Sequence, residues 1–168
     1  IILGRKDLIQ RIRKHPLTRM LRVCKLTDIA LQETLRLFLH PETLLEKNPT
    51  LRMISLKIEY LEAAAASFKA KIESAGLPLS IRILKEESAT GGGSLPHAPL
   101  ETRVLAISSS EMPADELAFR LRRIETPVIT RIQKDEVLLD MRTIMEGEDE
   151  IIVYILKTIF RPDDEEQP

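Results

Sequence analysis

The chain has 168 residues, 43% of them hydrophobic and 30% charged, with a formal net charge of −1. That length allows one good core, or one domain and a piece of another, and the composition excludes a disordered or fibrous chain. The single cysteine, Cys24, excludes an internal disulfide framework and fits a reducing compartment. No apolar run approaches the ~20 residues of a membrane span and no signal-peptide pattern appears, so a cytoplasmic protein with no membrane partner is expected.

The near-zero net charge hides an asymmetry. Residues 5–25 carry Arg5, Lys6, Arg11, Arg13, Lys14, Arg19, Arg22 and Lys25 against the one acid Asp7, whereas the last eight residues carry Asp163, Asp164, Glu165 and Glu166 against Arg161. A basic front of this kind points to an anionic partner or to solubility alone.

In chain order, Ile1-Ile2-Leu3-Gly4 reads as a short buried strand with no partner nearby, as if the chain were the C-terminal part of a longer protein. Arg5–Lys14 places Leu8, Ile9 and Ile12 on one side and bases on the other, an amphipathic helix. Pro16 suits the first turn of a second helix, in which Leu17, Met20 and Leu21 form a buried stripe. Thr27 reads as the N-cap of a third helix running to about Leu39, with Leu26 and Leu31 as a hydrophobic staple and Leu31, Leu35 and Phe38 buried. His40-Pro41 opens a short helix ended by Asn48-Pro49.

From Thr50, the residues Ile54, Ile58, Leu61, Ala65, Phe68 and Ile72 recur in alternating steps of four and three. This predicts one helix of about 25 residues, or about 37 Å, with a heptad-like seam and Gly76 as its C-terminal cap. The period then changes to two. Leu79, Ile81 and Ile83 mark a strand to about Glu87, and Arg103–Ser108 a central strand. Pro113 begins a helix with Leu117, Leu121 and Ile124 buried. Val128–Ile132 and Val137–Thr143 form a hairpin across Lys134-Asp135, with Val137, Leu139 and Met141 on one face. A last helix buries Ile152, Ile155, Leu156 and Ile159. The order β-β-α-β-β-α after a long helix predicts an α+β fold, a two-layer sandwich on a mostly antiparallel sheet. The acidic tail 161–168 is expected to be disordered.

Few stretches carry chemistry. Arg19 and Arg22 lie three apart, so they neighbour each other on a helix and form either a fork for an oxyanion or two solvated surface charges. The loop Gly91, Gly92, Gly93, Ser94 allows close backbone approach to a ligand, but it is followed by no GK[ST] and leads into no helix, which leaves a flexible connector as the alternative. His15, His40 and His97 have no metal-ligand spacing. Cys24 neighbours several bases that would lower its pKa, with packing as the plainer role. Arg142, two residues after Asp140, is a sheet-face charge that either meets solvent or reaches a ligand.

Taken together, HPLTRMLRVCKLT, LQETLRLFLHPE and NPTLRMI, then GGGSLP, TPVITRI and LLDMRTI, resemble the C-terminal half of the bacterial selenocysteine synthase (L-seryl-tRNA(Sec) selenium transferase) family, over residues 1 to about 160. The resemblance implies a pyridoxal 5'-phosphate enzyme of the aspartate-aminotransferase fold that converts seryl-tRNA to selenocysteinyl-tRNA through a dehydroalanyl intermediate, with selenophosphate as donor and a large homo-oligomer as its assembly. It implies residues 1–47 as the end of the large cofactor domain, 48–76 as a connecting helix and 77–160 as the small domain. Arg19 and Arg22 match the family's two arginines that bind the donor oxyanion. The lysine that carries the cofactor lies upstream of Ile1 in the family, so no cofactor is expected to be covalently bound to this chain, which alone is expected to be inactive and to bind tRNA weakly or not at all. Cys24 departs from the family pattern, an acid followed by lysine. Two other readings remain: the small domain of another pyridoxal-phosphate lyase or desulfurase, and a non-enzymatic RNA-binding or oligomerisation module with 5–25 as its RNA patch.

Overall fold

The computed structural model describes residues 2–89 and 99–161, and the chain falls into two compact units, Ile1–Pro49 and Thr50–Pro168. The expected disorder of the acidic tail, beyond Arg161, falls outside the described residues.

The first unit is a run of short helices: α1 (Lys6–Lys14), a 3-10 helix (Pro16–Leu21), α2 (Lys25–Leu37) and α3 (Pro41–Lys47). Ile2–Gly4 belongs to no strand, and Ile2 and Leu3 are exposed, because no described strand lies beside them to pair with. The second helix is a tight 3-10 turn. Its expected stripe is open, with Leu17 56%, Met20 75% and Leu21 76% exposed. Leu31, Leu35 and Phe38 of the next helix are likewise exposed. The physical reason is geometric: within the unit the helices pack chiefly on their chain neighbours, α1 on the 3-10 helix and α2 on α3, and no described residue of the unit is buried. Cys24 rather than Thr27 is the N-cap of α2. The helix ends at Leu37, where Phe38, Leu39 and His40 wind down through i→i+3 bonds to Leu35, Arg36 and Leu37.

In the second unit the anticipated long helix is two. α4 (Pro49–Ser55) and α5 (Ile58–Ser74) are separated at Leu56-Lys57, where Lys57 takes an extended backbone and caps α5. The apolar seam survives the break, with Leu61, Ala65, Phe68 and Ile72 of α5 fully buried. Burial of such large side chains is worth about 1.5–3 kcal/mol each, which ties α5 to the sheet.

That sheet has four strands, β1 (Leu79–Ser88), β2 (Leu100–Ser109), β3 (Arg131–Gln133) and β4 (Glu136–Asp140), in the order β1-β2-β4-β3 and antiparallel throughout. Two further helices, α6 (Ala114–Arg123) and α7 (Glu148–Phe160), complete the β-β-α-β-β-α order. Period-two alternation divides the strands cleanly. Ile81, Leu105, Ile107, Val137 and Leu139 join α5, α6 and α7 in one core, while Val104, Ala106 and Leu138 form a small cluster with Leu84 on the opposite face. The fold is therefore α+β, with helices layered on one face of an antiparallel sheet. The β3–β4 hairpin turns on Lys134 and Asp135, both at positive φ (52° and 60°), the backbone a two-residue type I′ turn requires. Ion pairs lock the layers: Glu62 of α5 accepts both Nε and Nη2 of the buried Arg103 on β2, and Lys71 donates to Asp149 and Glu150 in the first turn of α7. Its pairing with Glu62 holds the Arg103 guanidinium even more firmly in the charged form than usual.

Candidate functional site

Arg19 lies in the last turn of the 3-10 helix and Arg22 caps its end with an extended backbone (φ −75°, ψ 117°). At three residues per turn, positions three apart eclipse, so the backbone presents the two on the same side of the turn. Both are exposed, and neither takes a hydrogen bond or ion pair among the described residues. What fixes the turn is independent of them: His15 Nδ1 accepts from the Leu17 amide, and the Thr18 hydroxyl donates to the Ile12 carbonyl at 2.5 Å. Two guanidiniums are thus carried on a pinned backbone with their charge unspent. A hollow of about 840 Å³ in this unit is lined by Leu8, Ile12, Leu17 and Leu21 with Arg11 and Lys14, and neither Arg19 nor Arg22 borders it.

Two residues on, Cys24 sits at the start of α2 and is exposed. The Thr27 hydroxyl 3.3 Å from its Sγ, together with the backbone amides of Thr27 and Leu26, lowers the thiol pKa below its ordinary value. The helix N-terminus and a hydroxyl donor both favour the thiolate. Alkylation of Cys24 by iodoacetamide is therefore expected to reach its half-maximal rate at a lower pH than for free cysteine, and Thr27→Val to move that midpoint back up. An unchanged midpoint in the variant would assign the shift elsewhere.

The other candidate, Arg142, is not a solvated charge: both its Nη groups are committed to backbone carbonyls, while its Nε is buried without a hydrogen-bond partner among the described residues. It is 6% exposed, and its Nη1 donates to the carbonyls of Met53 (2.8 Å) and Leu56 (3.1 Å), with Ile54 at 3.5 Å. Its Nη2 donates to the carbonyl of Glu101. These are the carbonyls that a helix end leaves without partners. Arg142 therefore caps α4 from the turn that follows β4, and this accounts for the break that replaces the continuous helix. Beside it, Asp140 accepts from the hydroxyls of Ser88 and Thr102 (2.6 Å) and from the Arg142 amide (3.0 Å), with Arg131 Nη2 at 3.9 Å. Asp140, Arg131 and Arg142 line a cavity of about 620 Å³ with an apolar wall that includes Ile54, Leu100 and Leu138. Sequence reasoning singled out Arg142 but missed Asp140 as the centre of this cluster. Their spacing of two was the available signal: Arg142 lies in the turn directly after β4, where its amide reaches Asp140.

The loop residues Gly91, Gly92, Gly93 and Ser94 lie outside the described residues. Among the described residues no group of three or more His, Cys, Asp or Glu side chains is placed to hold a metal ion, and no helix is long and apolar enough to cross a membrane.

Comparison with known proteins adds the identity of the scaffold. The family model described as L-seryl-tRNA selenium transferase (SelA) matches residues 1–145. Similar proteins named L-seryl-tRNA(Sec) selenium transferase include those of Alkaliphilus metalliredigens, 36% identical over 95% of this chain, and of Aliarcobacter butzleri, 39% identical over 95%. That of Clostridium perfringens is 38% identical over 95%. The chain covers 34% of the length of each of these relatives. The match runs through the 3-10 helix, the broken helix pair and the whole antiparallel sheet, so the chain belongs to the L-seryl-tRNA selenium transferase family.

Proposed function

We propose that the full-length polypeptide containing this chain is a pyridoxal-phosphate-dependent transferase that converts seryl-tRNA(Sec) to selenocysteinyl-tRNA(Sec) with selenophosphate as donor. The observation that carries this reading is the family match across residues 1–145. Within it, Arg19 and Arg22 hold the oxyanion of the donor. Their exposed guanidiniums, unpaired among the described residues, support that role, because a site that must capture a phosphate cannot spend its cations on internal carboxylates.

The residues present fit a supporting part in cofactor chemistry and not the covalent part. Lys25 begins α2 at an exposed position and the resemblance gives it no cofactor-carrying role; the lysine that does carry it is assigned upstream of Ile1. Pyridoxal phosphate, when bound there, supplies the electron sink that lets the seryl hydroxyl depart. This chain's contribution is to bind and orient the incoming donor beside it.

Residues 1–47 are read as the end of the large cofactor domain, and the open apolar sides of the 3-10 helix and α2 support this, since a large domain is the kind of body that would bury them. A homo-oligomer would use the same surfaces. The direct test supplies the purified full-length polypeptide with seryl-tRNA(Sec) and selenophosphate. Selenocysteinyl-tRNA is expected to form only when pyridoxal phosphate is retained, and absence of any conversion by the cofactor-loaded protein would overturn the reading.

A further inference from the structure

Helix α1 carries a stripe that the donor site does not use. Lys6, Gln10, Arg13 and Lys14 fall at i, i+4, i+7 and i+8, which is one face of a helix, and Arg11 flanks it. All are exposed. The neighbouring acid, Asp7, is taken by Arg5 in a two-point contact (2.8 and 3.1 Å), so no ion pair among the described residues neutralises the stripe. Helix stability does not explain it fully. Arg11, Arg13 and Lys14 sit in the last turn, where cations suit the dipole, but Lys6 is in the first turn, where a cation opposes it. The opposite face, Leu8 and Ile12, forms part of the hollow shared with Pro16–Leu21. Lys14 and Arg11 reach the border of that hollow, while Lys6, Gln10 and Arg13 lie off it.

We propose that this face of α1 contacts the phosphate backbone of the tRNA substrate. The inference rests on the tRNA-dependent reading above and adds to it a surface separate from Arg19 and Arg22. The stripe spans a helix about 13 Å long at 1.5 Å per residue, with cations at both ends and an amide between them. That suits a run of adjacent phosphates rather than one small anion. With no aromatic side chain on α1 to stack a base, the contact is made to the backbone and carries no sequence preference. An anionic lipid surface is the lesser match, because α1 is nine residues long and its apolar face, which would have to enter the headgroup region, is shared with the 3-10 helix.

The test measures binding of a fluorescently labelled tRNA(Sec) transcript to the full-length polypeptide, wild type against Lys6→Gln/Arg13→Gln/Lys14→Gln, from about 50 to about 300 mM salt. Glutamine keeps helix propensity, and an unchanged far-UV spectrum verifies the fold. Three lost phosphate contacts are expected to weaken binding at least about tenfold at low salt and to flatten the slope of log K against log salt by about 2–3 units. Each single replacement should flatten it by about one. An unrelated tRNA should lose affinity by the same factor. Wild-type affinity and slope in the triple variant would overturn the contact while leaving the transferase reading intact. Failure of the wild-type protein to bind tRNA at all would overturn both. Loss of binding to phosphatidylserine vesicles with tRNA affinity unchanged would reassign the face to membranes.

Discussion

Arg142→Met is expected to lower the unfolding free energy of the second unit by about 3 kcal/mol, read as a drop in the urea midpoint. The guanidinium donates to carbonyls of Met53, Leu56 and Glu101, with Ile54 at the limit, and is itself 6% exposed. Methionine fills similar space but donates nothing, so the C-terminal carbonyls of α4 lose their partner in a place where water cannot fully replace it. Each buried group left unpaired costs about 1–3 kcal/mol, and some carbonyls recover by relaxing toward solvent, which brings the total near the middle of the range for a broken buried charge. Arg142→Lys should lose less, because an ammonium reaches one side of the clamp but cannot bridge α4 and the start of β2 together. Hydrogen exchange should rise first in α4. A midpoint shift below about 0.5 kcal/mol in the methionine variant, the range of ordinary surface changes, would show that α4 holds its end without this residue.

The second large effect is catalytic. Arg19→Ala/Arg22→Ala in the full-length polypeptide is expected to lower selenium transfer at least about 10²-fold, since removing even one preorganised donor to a developing or bound oxyanion costs that much in well-studied sites. Pyridoxal absorbance and tRNA affinity should stay at wild-type values, because neither guanidinium is assigned to the cofactor or to the RNA. Arg19→Lys and Arg22→Lys should each retain part of the rate but require more donor to reach it, for an ammonium keeps the charge and loses the fork. Normal turnover in the double alanine variant would remove the pair from the site. The two residues differ from Arg142 in the one respect that decides function: they leave their hydrogen-bonding capacity unused, and Arg142 commits both Nη groups to the backbone.

Legibility in the sequence followed the range of the interactions. Alternation in LSIRILKEES found β1, and the spacing of Leu61, Ala65, Phe68 and Ile72 found the side of α5 that meets the sheet, because each pattern is set by neighbours on one element. The hairpin expected over Val128–Ile132 and Val137–Thr143 is shorter, with strands Arg131–Gln133 and Glu136–Asp140 and Met141–Thr143 in a turn. The break after Ser55 was invisible. Nothing in LRMISLKIEY signals a stop, and the agent that caps α4 lies 89 positions away. Asp140 was missed for the same reason, since its hydroxyl partners come from strands 38 and 52 residues upstream. The stripes of the 3-10 helix and α2 were read correctly as apolar and wrongly as buried: periodicity reports which side of a helix avoids water, and it cannot report whether anything stands there to cover it. For the candidate site, spacing paired Arg19 with Arg22 without choosing between a fork and two solvated charges, and the family resemblance supplied the role. The pinned turn beneath them depended on His15 and Thr18, whose bonds no spacing rule encodes.

The clamp from Arg142 to α4 also sets an order of events. Closing 89 residues of intervening chain is an entropic cost met only after β2 and β4 have paired and placed Arg142. α4 should accordingly be the last piece to join during refolding and the first to leave. In kinetic measurements, loss of the arginine should speed unfolding and leave the folding limb of the chevron almost untouched.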